Sequence, residues 1–289
     1  MSYSCSMTNL IPNILLLGGG YVLQKVASLL TPTSFVITSR NPKTVSTWQA
    51  QGFLAEEADT LEPQTIMKIT EKYPSLQTLV DSVPPVFLPS EASTQREAEL
   101  RIVPFMAFQK IIYLSTTGVF GVDDGSWVNE ETPCKAQHSR AIARVIFEEI
   151  YRKVFPQTVV LRIPAIYGPG RGIGNSLKKG RYPLIGDGSR WSNRIQVEDL
   201  AKIIDLVCKM ENPPAVLCAS DSEPTPSIDV VRYYCNTFHF PFPASISIED
   251  AQARGLHTML SNQRVSSKYL RENLNFTLTY PTFREGASS

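Results

Sequence analysis

Apolar residues along the chain gather in short continuous runs rather than in strict alternation. The runs are Asn13–Leu17, Ser34–Thr38, Leu76–Val80, Lys110–Ser115 and Thr158–Arg162, with a weaker one over Gly52–Ala55. Runs of this length between turn residues predict strands buried on both faces. Segments of helical spacing separate them. One follows three glycines and continues to Leu30, and others cover Thr44–Gln51, Pro63–Lys72, Glu97–Phe108 and His138–Val154. Pro84 and Pro85 end the fourth strand. Parallel neighbours need a crossover, usually a helix, so this alternation predicts an α/β chain with a doubly wound parallel sheet of Rossmann type.

The rhythm loosens after Pro164. Gly168–Gly174 reads as loop, Arg194–Val197 as a short strand and Glu198–Met210 as a helix. Ala215–Ala219 reads as one more strand, Thr225–Phe238 as a helix and Ser266–Leu274 as a last short one. The expected organisation is a dinucleotide-binding domain over 1–163 and a small C-terminal substrate lobe over 164–289. The strand near 215–219 is expected to return to the sheet. The first ten residues are polar and are expected to lie loose.

Composition narrows the function classes. Lys and Arg number 28 against 27 Asp and Glu, a net charge of +1, without the basic excess of a nucleic-acid or membrane-surface protein. No apolar run reaches the length of a membrane span. The apolar stretch Ile11–Leu17 precedes the first cation, Lys25, opposite to the order in a secretory signal. Five cysteines stand singly and three histidines lie apart, which argues against a disulfide framework and a structural zinc site. A cytoplasmic protein with a small-molecule substrate is expected, with no nucleic-acid or membrane partner and no metal.

Gly18-Gly19-Gly20-Tyr21-Val22-Leu23 sits between a predicted strand and helix, the context of a dinucleotide fingerprint. Glycines permit a sharp turn and close approach of a pyrophosphate to a helix N-terminus. The third glycine is replaced by Leu23, so the helix is expected to stand slightly off the strand. A glycine turn in a protein that binds no nucleotide is the plain alternative. At the end of the second strand an NAD-preferring site places a carboxylate; here Ser39 and Arg40 stand. Arg40 suits a bidentate contact to a 2′-phosphate, with Ser39 donating, which favours NADP over NAD. Arg40 as an exposed turn arginine is the alternative.

Tyr113–Gly121 places hydroxyls at a strand's carboxyl end, where open α/β sheets bind ligands. At these residues, together with Gly18–Leu23, the chain resembles the extended short-chain dehydrogenase/reductases of the NAD-dependent epimerase/dehydratase group. The resemblance continues through Glu130–Pro133, Leu161–Gly170, Arg194–Leu200, Ser222–Thr225 and Tyr280–Gly286 in the family's order, and so spans nearly the whole chain. It implies that Thr116, three residues before Val119, polarises the substrate oxygen, with Ser115 and Thr117 on the same edge. Strand-end capping is the alternative for these hydroxyls. The resemblance further implies that Asp59 meets the adenine, unless it caps a helix. Pro164 and Tyr167 would flank the nicotinamide, and Arg194 would meet a sugar-nucleotide phosphate or fix the lobe. Asp199 is expected to cap or anchor its helix. Trp127 and Trp191 either stack on a base or fill core. The helix Ser139–Val154, carrying Ile142, Val145, Ile146 and Ile150, is a candidate homodimer face or a core face.

The family's Tyr-x-x-x-Lys pair is missing. With Glu148 fixing the register, Arg144 takes the lysine position and Arg140 the tyrosine position, and no tyrosine lies between Phe120 and Tyr151. Arg144 can hold a ribose by charge, or pair with Glu148 at i,i+4. Arg140 cannot act as a base, because a guanidinium keeps its proton in a protein. His138, at the helix start, is either a proton donor or a structural residue. Two functions follow. One is an NADP-binding oxidoreductase or epimerase-like enzyme acting on a carbonyl or hydroxyl of a small or nucleotide-linked sugar substrate. The other is a catalytically silent dinucleotide-binding sensor or scaffold.

Overall fold

The structure, a computed structural model, describes residues 11–86 and 88–288, so the expectation for the first ten residues lies outside it. The N-terminal part alternates β1 (Ile14–Leu17), α1 (Tyr21–Ala27), β2 (Phe35–Ser39), α2 (Pro42–Ala50), β3 (Leu54–Glu57), α3 (Pro63–Lys72), β4 (Thr78–Asp81), α4 (Glu91–Arg101) and β5 (Lys110–Thr116). A short strand β6 (Trp127–Val128), the long helix α5 (Ser139–Val154) and β7 (Thr158–Ile163) follow. Next come β8 (Ala165–Tyr167), α6 (Ile173–Lys178), β9 (Leu184–Ile185), β10 (Trp191–Ser192), β11 (Arg194–Gln196), α7 (Val197–Lys209) and β12 (Val216–Cys218). The chain closes with β13 (Thr225–Pro226), α8 (Ser227–Phe238), β14 (Ser245–Ile246), α9 (Ile248–Ala253) and β15 (Arg264–Val265).

Seven strands form one parallel sheet in the order β12-β7-β5-β4-β1-β2-β3. The order reverses between β1 and β4, which opens a crevice outside their carboxyl ends. Ile14–Leu17 is buried at every position, as the unbroken apolar run requires. One face packs on α1 and α7 through Leu23, Val26, Ile203 and Val207; the other packs on α4, the turn after it and α5 through Ala98, Phe105, Phe147 and Tyr151. Residues 216–218 return to the sheet beside β7.

Element limits differ from the sequence reading where local chemistry overrode periodicity. The helix expected over Glu97–Phe108 begins at Glu91, because Ser90 caps it by accepting from the Ser93 N–H at 3.1 Å. It stops at Arg101 and passes into a 3-10 turn over Val103–Ala107, where Pro104 offers no N–H. Asn41 and Pro42 start α2 two residues early, with Asn41 Oδ1 accepting from Lys43 N–H at 2.9 Å. The stretch expected as loop to Gly174 already enters α6 at Ile173.

The C-terminal residues build small paired strands over the sheet's carboxyl edge: β8 with β11, β9 with β14, β10 with β13 and β6 with β15. A second core, with Tyr167, Leu177, Val231, Tyr234 and Phe283, sits beneath them. Asn193 joins the two parts. Its Nδ2 donates to Gln263 O at 2.8 Å, and its Oδ1 accepts from Val265 N–H at 2.7 Å. Gln263 Nε2 in turn donates to Thr117 O at 2.9 Å, which ties the lobe to the hydroxyl-bearing end of β5.

Candidate active site

The glycine turn is built more by its neighbours than by its own amides. Gly18 adopts φ +86°, and a Cβ there would lie 2.7 Å from Val83 Cγ2. At Gly19 a Cβ would meet Trp48 at 2.2 Å. Gly18 N–H donates to Thr38 Oγ1 at 3.1 Å, Gly19 N–H to Thr38 O at 2.7 Å and Gly20 N–H to Gly18 O at 2.6 Å. Ser82 Oγ donates to Leu17 O and Gly18 O from the end of β4. All three glycine amides are therefore committed inside the protein. The donors facing outward are the first N–H groups of α1, at Tyr21 and Val22, where no side chain caps the helix. Space over Gly20 is open, since a Cβ there would meet only Gly18 O, at 3.8 Å. Leu23 is fully buried and fills the layer between α1 and the sheet.

Tyr21 reaches across the crevice. Its hydroxyl donates to Pro169 O at 3.2 Å, and Arg171 lies over its ring at 5.2 Å. Burial, the larger effect, raises the phenol pKa, against the pull of Arg171. At the ends of β2 and β3, Arg40 is exposed and lines a cleft of about 370 Å³ with Glu57, Asp59, Glu62 and Lys68. Ser39 Oγ accepts from Asn41 N–H at 3.1 Å. Asp59 Oδ1 accepts from Leu61 N–H at 2.9 Å and so shapes the turn into α3, while its residue lines the same cleft.

At the end of β5 the hydroxyls part company. Ser115 Oγ donates to the buried Glu148 at 2.5 Å, which commits it to the interior rather than to a cofactor. Glu148 takes Arg162 as its ion partner at 3.0 Å, so the alternative of an Arg144–Glu148 surface pair is not realised. Thr117 is buried, with its carbonyl holding Gln263. Thr116 remains at the edge, with Oγ1 accepting from Gly118 N–H at 3.2 Å and its own proton free to donate. Arg144 is half-buried and donates to Leu114 O at 2.8 Å and Tyr113 Oη at 3.0 Å. Burial pushes the Tyr113 phenol up to about 12, against the cations of Arg144 and Arg101. Arg140 is exposed at the start of α5. His138 caps that helix, its Nδ1 accepting from Ala141 N–H at 3.4 Å, and its ring stacks on His257 at 5.4 Å.

The lobe residues serve the second core. Tyr167 is buried, and its hydroxyl donates to Thr282 O at 3.3 Å. Arg194 lies over Phe283 at 5.0 Å and donates to Ser192 O at 3.2 Å. Asp199 anchors the C-terminal segment, accepting from Thr279 and Tyr280 N–H at 2.9 and 2.8 Å. Pro164 is half-buried between β7 and β8. Arg264 lies between the rings of Trp127 and Trp191, at 5.2 and 5.0 Å, so the two indoles share one cation.

Sequence reading missed Thr38, Trp48 and Ser82, which shape the glycine turn. The register of β1 against β2 and β4 brings Thr38 and Ser82 to the turn, and the packing of α2 on the sheet brings Trp48. It also missed the buried pair beneath the β4 loop. Arg101 donates to both oxygens of Asp81 at 2.7 Å and to Val83 O at 2.9 Å, and Tyr151 donates to Asp81 Oδ2 at 2.9 Å. Among the described residues no cluster of three or more His, Cys, Asp or Glu can hold a metal, and no helix is long and apolar enough to cross a membrane. Cys134, Cys208, Cys218 and Cys235 are free, and Cys5 lies outside the described residues.

Comparisons place this architecture among known proteins. The family model for the NAD dependent epimerase/dehydratase family matches residues 92–218. A functionally unknown conserved protein from Silicibacter pomeroyi is 30% identical, with 96% of this chain and 97% of that one covered and a TM-score of 0.73. dTDP-glucose 4,6-dehydratase from Bacillus anthracis, in complex with NAD, is 15% identical, with 95% and 94% covered and a TM-score of 0.77. A human epimerase family protein with NADPH is 15% identical, with 94% and 97% covered and a TM-score of 0.72. No curated protein matches the chain. The sheet order, the glycine turn at its switch point and the family match agree: the chain belongs to the NAD-dependent epimerase/dehydratase family.

Proposed function

We propose that the chain binds NADP in the crevice outside β1, β2 and β4 and acts as an oxidoreductase or epimerase-like enzyme. Its substrate would carry a carbonyl or hydroxyl on a small molecule or a nucleotide-linked sugar. The observation that carries this reading is the uncapped start of α1 beneath the open face of Gly20, with Arg40 at the far edge of the crevice. The N–H groups of Tyr21 and Val22 would hold the pyrophosphate, since the glycines supply shape and not donors. Arg40, with Lys68 and Lys72, supplies positive charge where a 2′-phosphate would lie, against the carboxylates of Glu56, Glu57, Asp59 and Glu62 on the same cleft. Bound there, the nicotinamide would exchange a hydride with the substrate carbon. Thr116 offers its hydroxyl proton to the substrate oxygen, and Arg144, fixed by Leu114 O and Tyr113, presents its remaining N–H groups to a ribose. Two relatives in this fold hold NAD and NADPH, and one acts on a sugar nucleotide, which supports the substrate class.

Isothermal titration with NADPH and NADH tests this. Expected is saturable binding, tighter for NADPH. Absence of heat with either at millimolar concentration removes the reading. A second reading, a catalytically silent cofactor sensor, is favoured by the exposed guanidinium of Arg140 where the family keeps its tyrosine. Any turnover by the purified protein over a panel of aldehydes and sugar nucleotides excludes it.

A further inference from the structure

The oxidoreductase reading leaves the tyrosine's place beside the substrate oxygen unfilled, and the inference below rests on that reading. Two side chains converge on the outer face of Gly118. An ideal Cβ at Gly118 would lie 3.6 Å from Thr116 Oγ1 and 3.9 Å from His138 Nε2, with no backbone among its near neighbours. Thr116 and His138 thus flank the same side of Gly118, each at ordinary contact distance from the place its missing side chain would take.

Local backbone donors fix what each group offers there. Gly118 N–H donates to Thr116 Oγ1, so the threonine's proton points elsewhere. Ala141 N–H donates to His138 Nδ1, so in the neutral ring the proton sits on Nε2. The groups facing His138 are His257, stacked on its ring, Arg140 two residues on, and the positive end of α5. Burial, then His257, then Arg140 lower its pKa from 6.5, which keeps the ring neutral at pH 7. A neutral imidazole is a hydrogen-bond donor and not a proton source, since losing its Nε2 proton would leave an imidazolate.

We infer that Thr116 Oγ1–H and His138 Nε2–H together form a two-donor site for the substrate's carbonyl or alkoxide oxygen, with His138 as a catalytic residue in the absent tyrosine's place. Neither donor gives up its proton; the hydride from the nicotinamide would make an alkoxide, which takes its proton from a solvent water and leaves hydroxide to the bulk. The pair stabilises negative charge as it develops on the oxygen, and His257 holds the imidazole plane from the lobe side.

The test begins with nitrogen-15 NMR of the histidine rings. The chain has three histidines, told apart with H138S and H257Q. Expected for His138 is a neutral ring at pH 7 protonated on Nε2. A proton on Nδ1, or an imidazolium at pH 7, overturns the proposal. The second arm follows deuterium transfer from reduced [4-²H]NADPH to methylglyoxal. Serine is a good helix cap but too short to reach the site, so H138S keeps α5 and NADPH affinity within about twofold and loses turnover about a hundredfold. Unchanged turnover in H138S overturns the proposal. A parent that binds NADPH yet transfers no deuterium overturns the proposal as well. Loss of NADPH binding in the parent removes the enzyme reading instead, and leaves the tautomer result untouched.

Discussion

Replacing Arg101 by leucine would unseat the floor of the crevice proposed to hold the cofactor. The side chain is 2% exposed and binds Asp81, which is fully buried. It also donates to the carbonyls of Val83 and Pro84, and so fixes the loop whose Val83 and Ser82 press on Gly18. Burial works against the guanidinium's charge, yet Asp81 and the neighbouring phenols hold its pKa above the ordinary value. In Arg101→Leu the Asp81 carboxylate keeps Tyr151 and the Val83 N–H but loses its counter-charge. Removing one partner of a buried pair costs about 3–5 kcal/mol. For a chain of this size that lowers Tm by about 10 °C. Calorimetric unfolding at pH 7 measures the loss. The double variant Asp81→Asn with Arg101→Leu should regain part of it, because no uncompensated charge remains. A loss below about 1 kcal/mol, or a double variant no better than the single one, would falsify the claim that this pair holds the loop.

Arg40→Ala should weaken NADPH at least about tenfold and leave NADH nearly unchanged, since a lost charge-assisted contact to a phosphate is worth about 1.5–3 kcal/mol. Parallel titrations with the two cofactors check it, and equal weakening would place the 2′-phosphate elsewhere. Asp221 makes stability pH-dependent. Burial, against the opposing pull of Arg194, raises its carboxyl from 3.8 to about 7 in the folded state. Between those values the native state holds the proton that the unfolded state has released, so unfolding free energy falls as pH rises from about 4 to 7 and levels off above. Denaturant titrations across that range should show the slope in the parent and its loss in Asp221→Asn; matching slopes would refute it. Leu23→Ala should cost about 2–5 kcal/mol by opening a cavity between α1 and the sheet. A chemical-denaturation midpoint within error of the parent would mean that α1 collapses onto the strand without cost.

The apolar runs determined the sheet. Strands covered by helices on both faces must be apolar throughout, and Ile14–Leu17 or Thr158–Ile163 can be read as such without neighbours. The glycine turn, Arg40 at the second strand's end and the return of residues 216–218 were also legible, because each rests on spacing along one segment; at His138 the sequence left a proton donor and a structural residue open, and the fold makes it the N-cap of α5. Element ends were less so where a cap or a proline outweighed periodicity, as at Ser90 and Pro104. Tertiary structure alone decided how the hydroxyls of Ser115 and Thr116 divide between interior and crevice. Ser115 turns to Glu148 only because β5 lies beside β7 under α5. Likewise Thr38 meets Gly18 across a strand pair, Arg101 finds Asp81 from a helix 20 residues on, and His257 reaches His138 from the far lobe. Hydrogen bonds and buried charges are satisfied by whatever the fold brings within about 3 Å, and separation along the chain carries no record of that distance.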